Sequence, residues 1–161
     1  MEKKQENKVQ AVPEGFHSVT PYLCVDNAAG FIEFVQKAFG GKKTFEMKGD
    51  DQKIMHATVS IGDSNIMICD AMETAPAQPG ILYLYVEDAD RLFRNALEAK
   101  AEVVHEMKDQ FYGDRVGAVK DPCGNVWWIG THVEDVDPGE LQRRSKVVER
   151  ELKQKGREVH A

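Results

Sequence analysis

An internal repeat limits most strongly how this chain can fold. Val25-Asp26-Asn27-Ala28 returns 61 residues later as Val86-Glu87-Asp88-Ala89, and Asn65-Ile66 returns 60 residues later as Asn125-Val126. Two nearly constant offsets in different parts of the chain mark a duplicated unit, although residue identity between the copies is low. In the first copy Val19 to Val25 reads as a strand, and Asp26-Asn27 supplies a helix cap. Phe31, Ile32, Val35, Ala38 and Phe39 then recur at helical spacing until Gly40-Gly41 stops them. Three strands follow, about Lys43 to Lys48, Lys53 to Ile61 and Asn65 to Asp70, with turns at Gly49-Asp50-Asp51 and Gly62-Asp63-Ser64. The second copy has Ile81 to Val86, a helix carrying Leu92, Phe93, Ala96 and Leu97, then Val103 to Met107, Arg115 to Lys120 and Asn125 to Gly130.

The order predicts an α+β fold of two tandem βαβββ modules. A helix covers one face of each four-stranded sheet, and the curved mixed sheets turn their open faces around a shared cleft. The modules fall at about 16–73 and 80–134, within a domain spanning 16–134. A polar N-terminal arm occupies 1–15, and a polar helical tail occupies 135–161. In the tail Asp137 is the cap, Pro138 the first helical residue and Glu140 the acidic residue three places after the cap. Leu141, Val147, Val148 and Leu152 give that helix only a thin apolar stripe, suited to packing along the domain edge or against a partner.

Charge and composition exclude several functions. Lys plus Arg total 21 against 27 for Asp plus Glu, a formal charge of 21 − 27 = −6, which opposes a nucleic-acid or anionic-membrane surface. The apolar runs are strand-sized, well short of the roughly 20 residues of a membrane span. Residues 1–10 carry no apolar core of a signal peptide, so the expected compartment is the cytoplasm. Cys24, Cys69 and Cys123 are far apart and lack a C-x-x-C spacing, so structural zinc and a disulfide framework are not expected. They read as small buried thiols, with Cys24 the best placed to react.

Several segments together resemble the glyoxalase/bleomycin-resistance/dioxygenase family, the vicinal oxygen chelate superfamily. They are Thr20-Pro21-Tyr22-Leu23-Cys24-Val25, Lys37-Ala38-Phe39-Gly40-Gly41, His56-Ala57 with Ile61-Gly62-Asp63, and Tyr112-Gly113-Asp114-Arg115 through Asp121-Pro122-Cys123-Gly124-Asn125-Val126-Trp127-Trp128. The likeness covers about Phe16 to Glu134 and is nearest to the branch called phosphonate-protein-like or demethylubiquinone-methyltransferase-like. It implies a fold with a ligand cleft and a homodimer. In metal-dependent relatives it also implies Zn, Ni, Mn or Fe held by His and Glu on the first and last strands of each unit. Carried onto this chain, those four positions fall at Thr20, Ile81, Ile68 and Trp128. A divalent transition metal needs several N, O or S donors, which Ile and Trp lack and Thr supplies weakly, so no metal site is expected. His56, Glu46 and Asp70 stay as outside ligands for a displaced metal.

Strand alternation turns Thr20, Tyr22 and Cys24 toward the cleft in the first unit and Ile81, Tyr83 and Tyr85 in the second, while Pro21, Leu23, Val25, Leu82, Leu84 and Val86 face the helices. Trp128 joins the inward set, and Trp127 faces outward as core. The expected pocket is walled by aromatic rings with a few polar tips and takes a planar or amphipathic small molecule. The plainer alternative is that the rings only fill space between the sheets. Arg115 reads as a clamp for a substrate carboxylate or phosphate, or as the ion-pair partner of Asp114 or Glu46. His56 and Glu46 are weak candidates for proton transfer, while His17, His105, His132 and His160 read as surface or edge residues. The leading expectation is a metal-free binder of a small organic molecule. The alternatives are a lyase, isomerase or dioxygenase with a displaced metal, a metal-free proton-transfer enzyme, and a ligand-sequestering resistance protein of the kind known in this family.

Overall fold

A computed structural model describes residues 9–158, with side chains through residue 154. Residues 1–8 of the expected arm, and His160 with the rest of 159–161, lie outside the described residues. The chain divides between Pro79 and Gly80 into two compact units, each carrying one four-stranded mixed sheet.

In the first unit the order is β1 (Tyr22–Val25), α1 (Ala28–Phe39), β2 (Lys42–Lys48), β3 (Ile54–Ile61) and β4 (Ser64–Asp70). The sheet runs β1-β4-β3-β2, with β1 parallel to β4 and the other neighbours antiparallel. The helix starts where its orphan amides find acceptors. Asn27 accepts from Gly30 N at 2.9 Å, and Asp70, at the end of β4, accepts from Ala28 N at 2.7 Å. The other oxygen of Asp70 accepts from Ile54 N at 2.7 Å, so one carboxylate ties α1, β3 and β4 together. The helix stops at Gly40, whose φ of 68° only glycine adopts without strain and whose N–H reaches the carbonyls of Val35 and Gln36. Phe31, Ile32, Phe34, Val35 and Ala38 are buried, as are Leu23, Val25, Ala57, Val59, Ile66 and Ile68 in the sheet. Full burial of a side chain such as Phe31 contributes about 2 kcal/mol.

The second unit repeats the plan with β5 (Ile81–Tyr85), α2 (Ala89–Glu98), β6 (Glu102–Asp109), β7 (Asp114–Lys120) and β8 (Val126–His132), in the sheet order β5-β8-β7-β6. Asp88 accepts from Arg91 N at 2.9 Å. Thr131 takes the role of Asp70, 61 residues on: its hydroxyl accepts from Ala89 N at 3.0 Å and donates to the Val86 carbonyl at 2.8 Å. Leu92, Phe93 and Ala96 of α2 are buried with Trp127 and Ile129 of β8.

The turn before β8 carries more than its Asp-Pro and Gly residues suggest. Asp121 is buried and accepts from Cys123 N, Asn125 N, the Asn125 amide and Trp127 Nε1 at 2.8 to 3.2 Å. Between the equivalent cross-strand pairs Ser60–Asn65 and Lys120–Val126 the second unit has one more residue, which corrects the repeat register. Tyr22 pairs with Met67 as Tyr83 pairs with Trp128, so the last strands correspond at 128 − 67 = 61 and the counterpart of Trp128 is Met67. Ile68, expected on the open face, pairs with Leu23 and is fully buried on the helix side. A slip of one residue moves a side chain to the opposite face of a strand.

The tail forms α3 (Pro138–Glu158), capped by Asp137, which accepts from Gly139 N and Glu140 N at 3.0 and 3.1 Å. Arg144 fastens it to its own unit. Its guanidinium donates to Glu134, to Glu140 and to the Phe111 carbonyl. Val147 and Leu152 stay exposed.

Candidate functional site

In the first unit the face away from α1 carries Tyr22 and Cys24 from β1, Met67 and Cys69 from β4, and His56 from β3. The imidazole of His56 lies parallel to the Tyr22 ring at a centroid distance of 5.9 Å and equally far from Phe45. Tyr22 is 51% exposed, so it does not close a core. Its hydroxyl is pushed up to about 12 by the hydrogen bond to the Cys69 thiol, with desolvation second.

Thr20, expected on this face, and Glu46, a weak proton-transfer candidate, lie off it. Thr20 precedes β1, and its hydroxyl donates to the His17 carbonyl at 2.9 Å, which closes a local turn. Glu46 pairs across the sheet with Ala57, in the row opposite to His56, and its carboxylate contacts Lys43 at 2.7 Å and Lys48 at 3.7 Å. The Lys43 hydrogen bond holds the Glu46 carboxyl below its usual range, which makes it a weak base.

The second unit's open face is richer. Tyr83 and Tyr85 from β5, Trp128, Gly130 and His132 from β8, and Asp114 from β7 share it through the strand register. Gly130 is required there, because a Cβ would meet the Tyr83 hydroxyl at 2.7 Å. Asp114 is 3% exposed and collects three partners: Tyr83 donates at 3.1 Å, Tyr85 donates at 2.8 Å, and His132 Nδ1 lies at 2.7 Å. The other imidazole nitrogen of His132 lies 3.0 Å from Asp135. Burial pushes the Asp114 carboxyl upward, but the bonds from His132, Tyr85 and Tyr83 outweigh it and leave its pKa below the ordinary value. Asp135 and then Asp114 raise the imidazole of His132. The Tyr83 phenol is raised by burial and then by Asp114, and the Tyr85 phenol by its bond to Asp114. The cluster therefore gathers two phenols and an imidazole around one carboxylate, an arrangement that fixes ring positions firmly.

Beside it, His105 of β6 stacks on Trp128 with centroids 4.9 Å apart and planes 27° from parallel. These two rings, with Glu106, Met107, Lys108, Gln110 and Tyr112, line a groove of about 560 Å³. That volume suits a small organic ligand. Tyr83 and Tyr85, 43% and 62% exposed, border the same sheet face with their ring centroids 4.7 Å apart.

The ion-pair partners expected for Arg115 are corrected. Asp114 and Glu46 are not its partners. β7 turns Arg115 to the α2 side, where it makes a bidentate contact with Asp90 at 2.6 and 2.7 Å and a third bond with Asp109 at 3.0 Å. A guanidinium committed this way fastens α2 to the sheet. His132, read from sequence as a surface or edge residue, is exposed at the end of β8, which the sequence ends at Gly130. Two more residues of strand place it in the Trp128 row. His105 was missed because its stack depends on the cross-strand neighbour of Trp128. Among the described residues no group of three or more His, Cys, Asp or Glu could hold a metal ion, and the corrected positions Ile81, Trp128 and Met67 offer no donor set that fits one.

The sequence profile of the Glyoxalase/Bleomycin resistance protein/Dioxygenase superfamily matches residues 15–129. An uncharacterised protein of Mycobacterium tuberculosis is 35% identical over 136 residues, covering 78% of this chain and 80% of that protein. The crystal structure of TioX from Micromonospora sp. ML1 is similar at a TM-score of 0.62 and 19% identity, covering 71% of this chain and 98% of that one. That of TnmS3, an antibiotic binding protein from Streptomyces sp. CB03234, is similar at 0.59 and 20%, covering 77% and 99%. At these identities the two solved structures share the fold.

Proposed function

Because the chain belongs to the glyoxalase/bleomycin resistance protein/dioxygenase superfamily, we propose that it binds a small planar organic molecule against Trp128, without the divalent metal used by metal-dependent members. The carrying observation is the partly buried Trp128 ring, already backed by His105 and opening into the groove with Tyr112, Lys108 and Gln110. Aromatic walls supply area and stacking, while the amide and ammonium supply orientation. An antibiotic binding protein with the same fold supports a role in sequestering such a molecule. The homodimer implied by the resemblance belongs to this reading. β2 and β6 are sheet edges paired on one side, and they carry exposed Phe45, Met47, Val103 and Val104.

Calorimetric titration of the purified protein with a panel of planar aromatics, with and without added Zn, Ni, Mn or Fe(II), tests the proposal. Binding that is independent of added metal and weakened about thirtyfold by W128A, ~2 kcal/mol, is the expected result. Binding that requires a divalent ion, or that ignores W128A, overturns it. A second reading, metal-free proton transfer, rests on His132 bridging Asp114 and Asp135 at the end of the same face. Turnover of a bound ligand that H132N abolishes without weakening affinity would favour it.

A further inference from the structure

We propose that Cys24 and Cys69 form a dithiol modification site, which hydrogen peroxide oxidises to an intrachain disulfide and thiols reduce again. The pair is built by register. β1 and β4 are parallel neighbours, Cys24 and Cys69 are directly opposed, and the Cys69 thiol donates to the Cys24 sulfur at 3.3 Å. Opposed residues on neighbouring strands lie about 4.8 Å apart, within the span of roughly 4.4 to 6.8 Å that a disulfide bridges. The sulfurs therefore need only side-chain rotation to bond. Both are free cysteines. Cys24 is partly exposed and Cys69 is buried, which assigns the first encounter with oxidant to Cys24 and the resolving step to Cys69.

The chemistry balances with the peroxide as the two-electron oxidant. The Cys24 thiolate attacks one peroxide oxygen, the O–O bond breaks, and the departing hydroxide takes a proton to leave as water. The Cys69 sulfur then attacks the Cys24 sulfenic sulfur, the S–O bond breaks, and the hydroxyl leaves as a second water with the Cys69 proton. Two thiols and one peroxide give one disulfide and two waters. Desolvation, and then the Cys69 thiol, raise the Cys24 pKa, so the thiolate fraction is small at neutral pH and the oxidation accelerates as the pH rises.

The full chain is treated with hydrogen peroxide at several pH values, quenched, denatured and alkylated, then mapped by mass spectrometry without reduction. The expected result is a protein two hydrogen masses lighter, a peptide linking Cys24 to Cys69, one thiol of three left to alkylate, a rate that climbs with pH, and full return on adding dithiothreitol. In C69S the Cys24 sulfenic acid has no resolving thiol and is trapped by dimedone, a readout that needs no folded comparison. Over-oxidation of Cys24 in the wild-type chain with Cys69 still alkylatable, or linkage of either residue to Cys123 or to a second chain, overturns the proposal.

Discussion

Asp114 organises the second unit's open face, since two phenols and an imidazole converge on its buried carboxylate. D114A removes the acceptor from all three and is expected to cost about 2 kcal/mol, read from urea unfolding. The isosteric D114N keeps the shape and loses the charge, so the His132 imidazole should titrate at a lower pH than in wild type, followed by NMR. The pH dependence has two limits. The His132 pKa is raised above 6.5, so its bonds to Asp135 and Asp114 add stability that is fully present below that value and is lost as the pH rises through the raised one. The Asp114 pKa is lowered from 3.8, so its contribution is complete above that value and is lost as the pH falls through the lowered one. The difference in urea midpoint between wild type and H132N should therefore shrink as the pH is raised above neutrality; a difference that grows toward alkaline pH would contradict the assignment.

At the scale of elements, the repeated helix start carries the fold. Asp70 holds two backbone amides from separate elements, and Thr131 holds one. D70A should cost about 2 kcal/mol and T131V about 1 kcal/mol in unfolding free energy; equal losses would mean that Asp70 caps α1 and does nothing for β3. The sequence made these elements legible because their signals are local. Apolar spacing from Phe31 to Phe39, Asn27 as cap and Gly40 as stop all belong to α1, and Asp88 caps α2 in the same local way. What it hid depends on register between strands distant in sequence. One extra residue in the turn at Asp121 makes Met67, and not Ile68, the counterpart of Trp128, and β8 runs on to His132, which places that residue on the open face. Arg115 found Asp90 because α2 packs on β7, a contact that no spacing in the chain expresses.

At the scale of the molecule, the repeat gives two sheets with unlike faces. The first sets Tyr22, His56 and Phe45 beside a pair of thiols, and the second sets Trp128 and His105 beside the Asp114 cluster. The change from Met67 to Trp128 at equivalent positions gives the second unit its groove, so ligand binding is expected to be unequal between the copies. The formal charge of −6 disfavours polyanions as partners. The indole N–H resonances of the two tryptophans provide the most direct test. Trp127 is buried and donates to Asp121, whereas Trp128 borders the groove. On titration with a planar aromatic found by calorimetry, the Trp128 indole signal should shift in a saturable way while that of Trp127 stays nearly fixed. Saturable binding that leaves the Trp128 signal unmoved would contradict the account.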